Sequence, residues 1–296
     1  MASKPSDVPT WDSNQTNVVE PTSVHKTDGF QAPAGVPEKP TFQEFNYWMN
    51  EVYRWVDYLQ ELNLEMSKLE RATFAWVSGT QITITGGRYY HEGTYNQVLA
   101  ISSPITHTFT GLSGLQIQYV YIDDSSLTDD MGSITSSNII NSTTAPTFST
   151  SKNGWYDGDD RCIFGLYSAS STIEEFYHEG DIVMMGEKES VSSLTSQPSN
   201  TWEDVSFTSR LPTFVSYAIV TAEISYVDAN TKLSWRPNGS SVASGHYIGE
   251  VTSTADDVVT QFVVYLVGLV FEWRFGTSTT NAADLTWDGF YLPKGM

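Results

Sequence analysis

The chain has 296 residues, of which 15 are basic and 35 acidic, so its formal net charge is -20 at pH 7. This charge excludes sequence-independent binding to nucleic acid, because such binding needs Lys and Arg side chains against the phosphates. It also disfavours binding to a membrane of anionic lipid. Only 17% of the residues are charged, 13% are aromatic, and Ser and Thr make up nearly a quarter of the chain. Such a composition is typical of a β-rich protein.

The sequence gives no sign of disulfides, export or membrane insertion. Cys162 is the only cysteine, which excludes an intrachain disulfide and a thiolate metal site. The first ten residues have no apolar core, so we expect no secretory signal peptide. The longest apolar stretch, residues 262–271, is shorter than the roughly 20 residues of a membrane-spanning helix. We therefore expect synthesis in a cytosol and no membrane insertion.

Residues 1–40 have the composition of an extended arm. They hold six of the 12 prolines, with Ser, Thr, Asn and Asp between them. Such a segment buries too little apolar area to fold alone. One interpretation is a free tail. The other is an attachment arm that becomes ordered when Trp11 and Phe30 pack into a partner protein.

Residues 41–72 carry the clearest helical pattern. Thr41 and Glu44 form a capping box directly after Pro40, and the segment contains no Gly and no further Pro. Apolar residues then alternate three and four apart through four heptads, which predicts a coiled-coil seam of Phe45, Trp48, Val52, Trp55, Leu59, Leu62, Met66 and Leu69. An amphipathic helix packed on its own domain is the alternative. The 3.5-residue repeat and the wide aromatic seam favour a homotrimer.

From residue 73 onward the pattern changes from helical to β. Residues 81–85 and 88–91 alternate on either side of Gly86-Gly87, which predicts a hairpin. Further strands are predicted at 116–122, 161–167 and 172–177. These elements define a first β module at residues 73–187.

A Ser-rich linker at residues 188–201, with Pro198, separates that module from a second β module at 202–296. Its predicted strands are 213–227, 232–235, 246–251, 261–267 and 269–275. Residues 258–275 are nearly all apolar, which favours a strand buried on both faces, in a sandwich core or at a trimer axis. The expected fold is mainly β with one long N-terminal helix: an extended arm, a trimeric coiled coil, and two sandwich-like or jelly-roll-like modules.

The sequence contains no recognisable catalytic pattern. It has no G-x-S-x-G elbow, no H-E-x-x-H helix and no Walker loop, and its five histidines are scattered. We therefore expect a protein that is not an enzyme and uses no cofactor.

The densest polar cluster is an acidic turn, in which Asp157, Asp159 and Asp160 stand within four positions. Three carboxylates could ligate a hard cation such as calcium, or supply an acid and a base for glycoside cleavage. The third interpretation, which we favour, is a solvated Asp-Gly turn partly paired with Arg161.

Aromatic pairs near predicted turns are candidates for stacking against sugars. They are Tyr89 with Tyr90, Trp155 with Tyr156, and Tyr177 beside His178. Core packing or contacts between subunits would account for the same residues, so both interpretations stay open.

Three segments carry motifs that occur together in one family. The Pro-rich arm holds a Gly-Phe pair and a Lys-Pro step, and an Asn-x-Trp motif and a Tyr-Leu pair follow: Gly29-Phe30, Gly35, Lys39-Pro40, Asn46-Tyr47-Trp48, Trp55 and Tyr58-Leu59. Residues 8–62 thereby resemble the virion-proximal end of tail-fibre proteins of tailed bacteriophages. Residues 116–180, with Tyr119–Asp123 and Gly154–Cys162, are similar to a β domain of such fibres, and Gly289–Pro293 is similar to their C-terminal ending.

The resemblance implies a short homotrimeric tail fibre, without cofactor, assembled into the virion in the host cytoplasm. Residues 1–40 would attach it to other virion proteins, in the tail, adaptor, portal or capsid, and its β modules would contact host surface polysaccharide. Most such fibres are longer and repetitive, whereas this chain has no repeats. A capsid decoration, head-fibre or fibre-adaptor protein is therefore an alternative, and a glycan-cleaving tailspike a more remote one.

Overall fold

The structure is a computed structural model that describes residues 52, 55–56, 70–195, 201–225, 231–251, 258–276 and 282–296. The chain divides into two compact units, Met1–Leu69 and Glu70–Met296. Nearly all described residues belong to the second unit, which is built from β-strands.

The expected fold class is wrong in its helical part. The described residues contain no helix of seven residues or more, so the long helix at 41–72 and its coiled coil are not part of the described structure. Val52 and Trp55 have helical backbone, while the other predicted seam residues, the arm, Trp11 and Phe30 lie outside the described residues. The Glu70 backbone forms a β-bridge to Arg88, so the predicted helix does not continue to residue 72. The first strand begins at Thr73, where the first β module was predicted to begin.

Eleven short strands make up the first half of the second unit. They are β1 (Thr73–Ser78), β2 (Gln81–Thr85), β3 (Arg88–His91), β4 (Gln97–Ala100), β5 (Ile105–Thr108), β6 (Gln116–Ile122), β7 (Ile139–Ser142), β8 (Thr147–Ser149), β9 (Gly154–Asp157), β10 (Asp160–Ala169) and β11 (Thr172–Ile173). Short 3₁₀ turns occupy Asp124–Ser126 and Ser136–Asn138. One sheet has the order β1-β2-β5, β3 pairs with β4, and a larger sheet has the order β7-β6-β10-β9-β8, with β11 on β10.

Nine further strands complete the unit. They are β12 (Phe176–Glu179), β13 (Ile182–Thr195), β14 (Glu203–Ser206), β15 (Tyr217–Ser225), β16 (Thr231–Pro237), β17 (His246–Val251), β18 (Val258–Tyr265), β19 (Val270–Phe275) and β20 (Ala282–Tyr291). A five-stranded sheet has the order β12-β13-β20-β15-β18, and a four-stranded sheet has the order β14-β19-β16-β17. The strand ladders of both sheets are antiparallel.

The five-stranded sheet joins the two modules that the sequence predicts as separate. Strand β13 runs through residues 188–195 of the predicted linker and pairs along its length with β20 near the C-terminus. Residues 196–200 lie outside the described residues. A module boundary at 188–201 is therefore wrong, because the Ser-rich segment supplies ladder residues to a sheet shared by both halves.

The predicted hairpin around Gly86-Gly87 is replaced by a crossing between sheets. Strands β2 and β3 have the predicted bounds, yet β2 pairs with β1 and β5, whereas β3 pairs with β4. Gly87 has φ +95°, and a Cβ there would come within 2.8 Å of the Ala72 backbone. Only glycine fits this close approach, which redirects the chain toward β4.

A hydrophobic core with many aromatic side chains underlies the sheets. Its largest fully buried members include Trp273, Trp287, Tyr119, Tyr121 and Tyr167. Burying an apolar side chain such as Phe164 or Ile82 in this core stabilises the fold by about 1.5–3 kcal/mol.

The apolar segment 258–275 is buried on one face only along β18, which corrects the predicted two-sided burial. Val264 is fully buried, while Val259, Val263 and Tyr265 on the opposite face are exposed.

No helix among the described residues has the length and hydropathy needed to cross a membrane.

Candidate functional site

The outer face of the five-stranded sheet carries a band of mainly aromatic and aliphatic residues. Side chains alternate between the two faces of a strand. Val183, Ala218, Val264 and Phe290 point to the core and are buried. Their chain neighbours therefore point outward.

Strand register places these outward residues in two adjacent rows that cross all five strands. The first row is Tyr177, Met184, Gly289, Ile219 and Val263. The second row is Glu179, Ile182, Tyr291, Tyr217 and Tyr265. We call these ten residues the outer band.

The tyrosines of the outer band are accessible. Tyr177 is 63% exposed, Tyr217 48% and Tyr265 41%. The Tyr217 ring lies 5.3 Å from the Tyr265 ring and 6.5 Å from the Tyr291 ring, centroid to centroid. Aromatic rings at these separations contact one another and form a rigid surface.

A groove of about 610 Å³ lies at one end of the outer band, where strands β1 and β12 of two different sheets face each other. Residues 73–76 form one wall and residues 175–179 form the other, while Ile182, Met184 and Ile219 of the outer band lie at its base. We call it the β1–β12 groove. Its lining is mostly apolar and includes the aromatic side chains of Phe74, Trp76, Phe176 and Tyr177.

His178 links the two walls of the groove. Its Nδ1 accepts a hydrogen bond of 3.1 Å from the backbone N–H of Phe74 in β1, and its Nε2 donates to the Gly180 carbonyl at 2.9 Å. Its ring packs against Phe74 and Phe164, each 5.6 Å away between centroids. Burial lowers the pKa of His178, assisted by Arg71 nearby and opposed by Gly180 and Asp181. The imidazole is therefore neutral, as its acceptor role requires.

Arg71 fixes the chain at the start of β1. Its guanidinium donates to the carbonyls of Gly180, Pro293 and Met296, and pairs with the carboxylate of Asp181. One side chain thus holds together the entry to β1, the β12–β13 turn and the C-terminus. This clamp positions the walls of the groove.

Glu175 and Glu179 supply carboxylates to the exposed wall. The Tyr177 hydroxyl donates a hydrogen bond of 2.8 Å to Glu175 Oε1. This bond, with the negative charge behind it, raises the pKa of Tyr177 and keeps the hydroxyl protonated. The hydrogen bond restrains the exposed Tyr177 side chain at the groove.

The other two aromatic pairs that the sequence singled out, Tyr89 with Tyr90 and Trp155 with Tyr156, lie outside the groove and the outer band. Two of these four residues are buried. Tyr89 and Tyr156 are each only 3% exposed, so neither can stack against a sugar. Tyr89 accepts a hydrogen bond from the Ala72 N–H, and burial raises its pKa to about 12. Tyr90 and Trp155 are half-buried, and Trp155 packs edge-on against Phe148.

Arg161 is the centre of that buried region. Its guanidinium donates to the Tyr90 carbonyl at 2.7 Å, the Tyr156 hydroxyl at 3.0 Å and the Gly295 carbonyl at 2.9 Å. A Cβ at residue 154 would lie 2.8 Å from an Arg161 nitrogen, so Gly154 leaves the room this side chain needs. We call Arg161 and the groups it contacts the Arg161 network.

A buried His–Asp pair lies beside this network. His91 Nε2 is 2.8 Å from Asp124 Oδ1, and Asp124 also accepts from the N–H and hydroxyl of Thr94. Burial lowers the pKa of His91 against the opposing effect of Asp124. Burial also acts to raise the pKa of Asp124, but its hydrogen bonds outweigh this and hold it below the ordinary value. Because His91 is fully buried, the pair supports the fold and reaches no substrate.

Two aspartates of the acidic turn contact different partners. Asp159 is exposed and pairs with Lys152 at 2.6 Å, whereas Asp160 accepts a hydrogen bond from the Asp124 N–H at 2.8 Å. Burial and the charges of Asp123, Asp124 and Asp157 raise the pKa of Asp160. Within the described ranges no group of three or more His, Cys, Asp or Glu side chains is arranged to hold a metal ion.

Sequence patterns identified two adjacent members of the groove, Tyr177 and His178. Trp76, Glu179 and the tyrosines of β15, β18 and β20 were missed. Each of those tyrosines fits the outward phase of a strand, but their convergence depends on the pairing order β12-β13-β20-β15-β18. That order joins segments more than 100 residues apart, and alternation within one strand does not encode it.

The comparisons with known proteins do not assign this chain to a family. No family model and no curated protein matches the sequence. Among solved structures, the chain is weakly similar to a Bacillus thuringiensis Cry1Da tryptic core variant, with 11% identity and a TM-score of 0.15. The match covers 79% of this chain and 54% of that one. A similarity at this level carries no argument about fold or function.

Proposed function

We propose that this chain is a structural virion protein of a tailed bacteriophage whose β unit contacts host surface glycans without cleaving them. The observation that carries the glycan-contact part is the outer band, where exposed tyrosines adjoin a groove containing Trp76, Tyr177 and two carboxylates. Ligand sites combine an apolar lining with a few polar groups that fix orientation. A saccharide fits such a lining, because its ring has an apolar face and a rim of hydroxyl groups.

The virion assignment rests on the sequence resemblance of residues 8–62, 116–180 and the C-terminal ending to phage fibres. We propose on the same basis that residues 1–40 attach the protein to another virion protein and that the assembled form is a homotrimer. Mass measurement of the purified protein tests the subunit number. Loss of particle incorporation on removal of residues 1–40 tests the attachment.

The glycan-cleaving tailspike is less well supported than a binding protein. Such spikes are usually long parallel β-helices, whereas the named strand ladders in the described ranges are antiparallel. The acidic turn also offers no support for cleavage, because Asp159 and Asp160 are engaged with different partners.

The experiment that tests the proposal combines binding and cleavage on the same samples. The purified protein is applied to an array of bacterial envelope polysaccharides, and the supernatant is analysed for shorter fragments. We expect retention on at least one polysaccharide and no fragments. Absence of binding to every member would contradict glycan contact, and fragment release would contradict the non-enzymatic assignment.

A further inference from the structure

We propose that the β1–β12 groove selects saccharides that donate hydrogen bonds and carry no negative charge. These are neutral, hydroxyl-rich sugars and amine-bearing sugars, as opposed to carboxylated, sulfated or phosphorylated ones. The inference rests on the proposed glycan contact and adds the chemical class of the ligand.

The donor side chains of the groove are already used within the protein. The Trp76 Nε1–H points to the Ile173 carbonyl at 3.5 Å, and the His178 Nε2–H is bonded to Gly180. The Tyr177 hydroxyl donates to Glu175. Among the described side chains that line the groove, only the Thr73 hydroxyl is a donor without such a bond.

Acceptors, in contrast, remain available on the same wall. A carboxylate offers about four lone-pair positions, and Glu175 uses one of them for the Tyr177 hydroxyl. Glu179 adds a second exposed carboxylate two strand positions beyond Tyr177. A ligand seated on these aromatic rings therefore meets acceptors at its rim, and it must itself supply the hydrogens.

The charge of the groove also favours ligands that carry no negative charge. Arg71, which precedes β1, is paired with Asp181, and the ammonium of Lys188 on β13 lies 3.8 Å from the buried carboxylate of Asp288. The groove thus presents two formal negative charges on a chain whose net charge is -20. An acidic sugar brought within a Debye length of about 8 Å is repelled.

The test uses one polysaccharide array with neutral, amine-bearing, carboxylated and sulfated members at equal density. We expect retention on neutral or amine-bearing members and at least tenfold weaker retention on acidic ones. Raising the salt concentration to 0.5 M should reduce that discrimination, because it screens the carboxylates.

A double variant, Glu175→Gln with Glu179→Gln, keeps acceptor oxygens but removes both charges. We expect it to bind acidic members several-fold better than the unaltered protein does. The matched control, Asp129→Asn with Asp157→Asn, removes two exposed charges that do not line the groove and should leave the preference unchanged.

The outcomes separate this inference from the proposed function. Equal or stronger retention on acidic members would overturn the inference while leaving glycan contact intact. An unchanged preference in the double glutamine variant would also overturn it. Failure to bind any class of saccharide would overturn the proposed function, and the inference with it.

Discussion

Two regions of the second unit contain the same kinds of residue and differ in what those residues contact. The Arg161 network joins tyrosines, a cation and a neighbouring His–Asp pair, and it lies in the interior. The β1–β12 groove joins Trp76, Tyr177, His178 and carboxylates at the surface. The first region directs most of its hydrogen-bonding groups to partners inside the protein. The second leaves aromatic faces and carboxylate acceptors exposed.

The comparison shows that residue type alone does not separate a stabilising cluster from a binding surface. Buried polar groups are costly unless partnered, so a dense internal network contributes to stability and specificity of the fold. Exposed aromatic side chains contribute little to stability and are available to a partner. Substitutions in the two regions should therefore change different quantities.

The largest expected effect is the loss of stability when Arg161 is replaced. Arg161→Ala removes the guanidinium hydrogen bonds to the Tyr90 carbonyl, the Tyr156 hydroxyl and the Gly295 carbonyl. We expect the free energy of unfolding to fall by about 3 kcal/mol or more, measured by urea denaturation.

Arg161→Lys provides a second measurement where the alanine variant does not fold. Lysine keeps the positive charge but lacks the planar fork, so we expect an intermediate loss. A loss below about 1 kcal/mol in both variants would show that the network is not a stabilising element.

The next effect is a loss of stability on mild acidification. Burial lowers the pKa values of His91, His107 and His178 below the ordinary 6.5. The unfolded chain then binds more protons than the folded one, so stability rises with pH in this range. The contribution is fully present above pH 6.5 and is lost as the pH falls below it.

Unfolding midpoints at pH 7.5, 6.5 and 5.5 check this expectation. Asp160 and Glu174 act in the opposite direction, because burial raises the pKa of each carboxyl and a raised carboxyl pKa favours the folded state on acidification. His178→Gln stays neutral at each pH and should reduce the acid loss. A midpoint that is constant or rises on acidification would contradict the buried neutral histidines.

A smaller effect is expected at the exposed ion pair of the acidic turn. Asp159→Asn removes the partner of Lys152, and the Asp159 side chain is 59% exposed. Surface ion pairs of this kind contribute about 0–1 kcal/mol, so the melting temperature should change little. Calcium or a chelator should not shift it, and a shift of several degrees would indicate a cation bound only by the folded state.

The sequence predicted strands well where one chain segment carries the whole signal. Residues 81–85, 88–91, 116–122 and 246–251 are strands with the predicted bounds, because alternation is a local property. Strand pairing was predicted poorly. The Gly86-Gly87 hairpin and the module boundary at 188–201 both failed, since the chain crosses between sheets at one and continues as strand β13 at the other.

The candidate site was predicted poorly for the same reason, because its composition depends on strand pairing. Tyr89 and Tyr156 were chosen because each has an aromatic neighbour in sequence, yet the inward phase of β3 and β9 buries both. Tyr217 and Tyr265 are 48 positions apart and meet only through the pairing of β15 with β18. Burial and register together decide which aromatic side chains a ligand can reach.

The central claim is that the β1–β12 groove binds saccharide, whereas the Arg161 network stabilises the fold. A substitution of Tyr177 tests this claim most directly. Saccharide affinity and melting temperature are measured for the unaltered protein, for Tyr177→Ala, and for the control Tyr247→Ala, an exposed tyrosine of β17 outside the groove. The account predicts that Tyr177→Ala weakens the affinity by about tenfold, with a stability change below about 0.5 kcal/mol, and that the control leaves the affinity unchanged. Equal affinity of the Tyr177 variant and the unaltered protein would contradict the account.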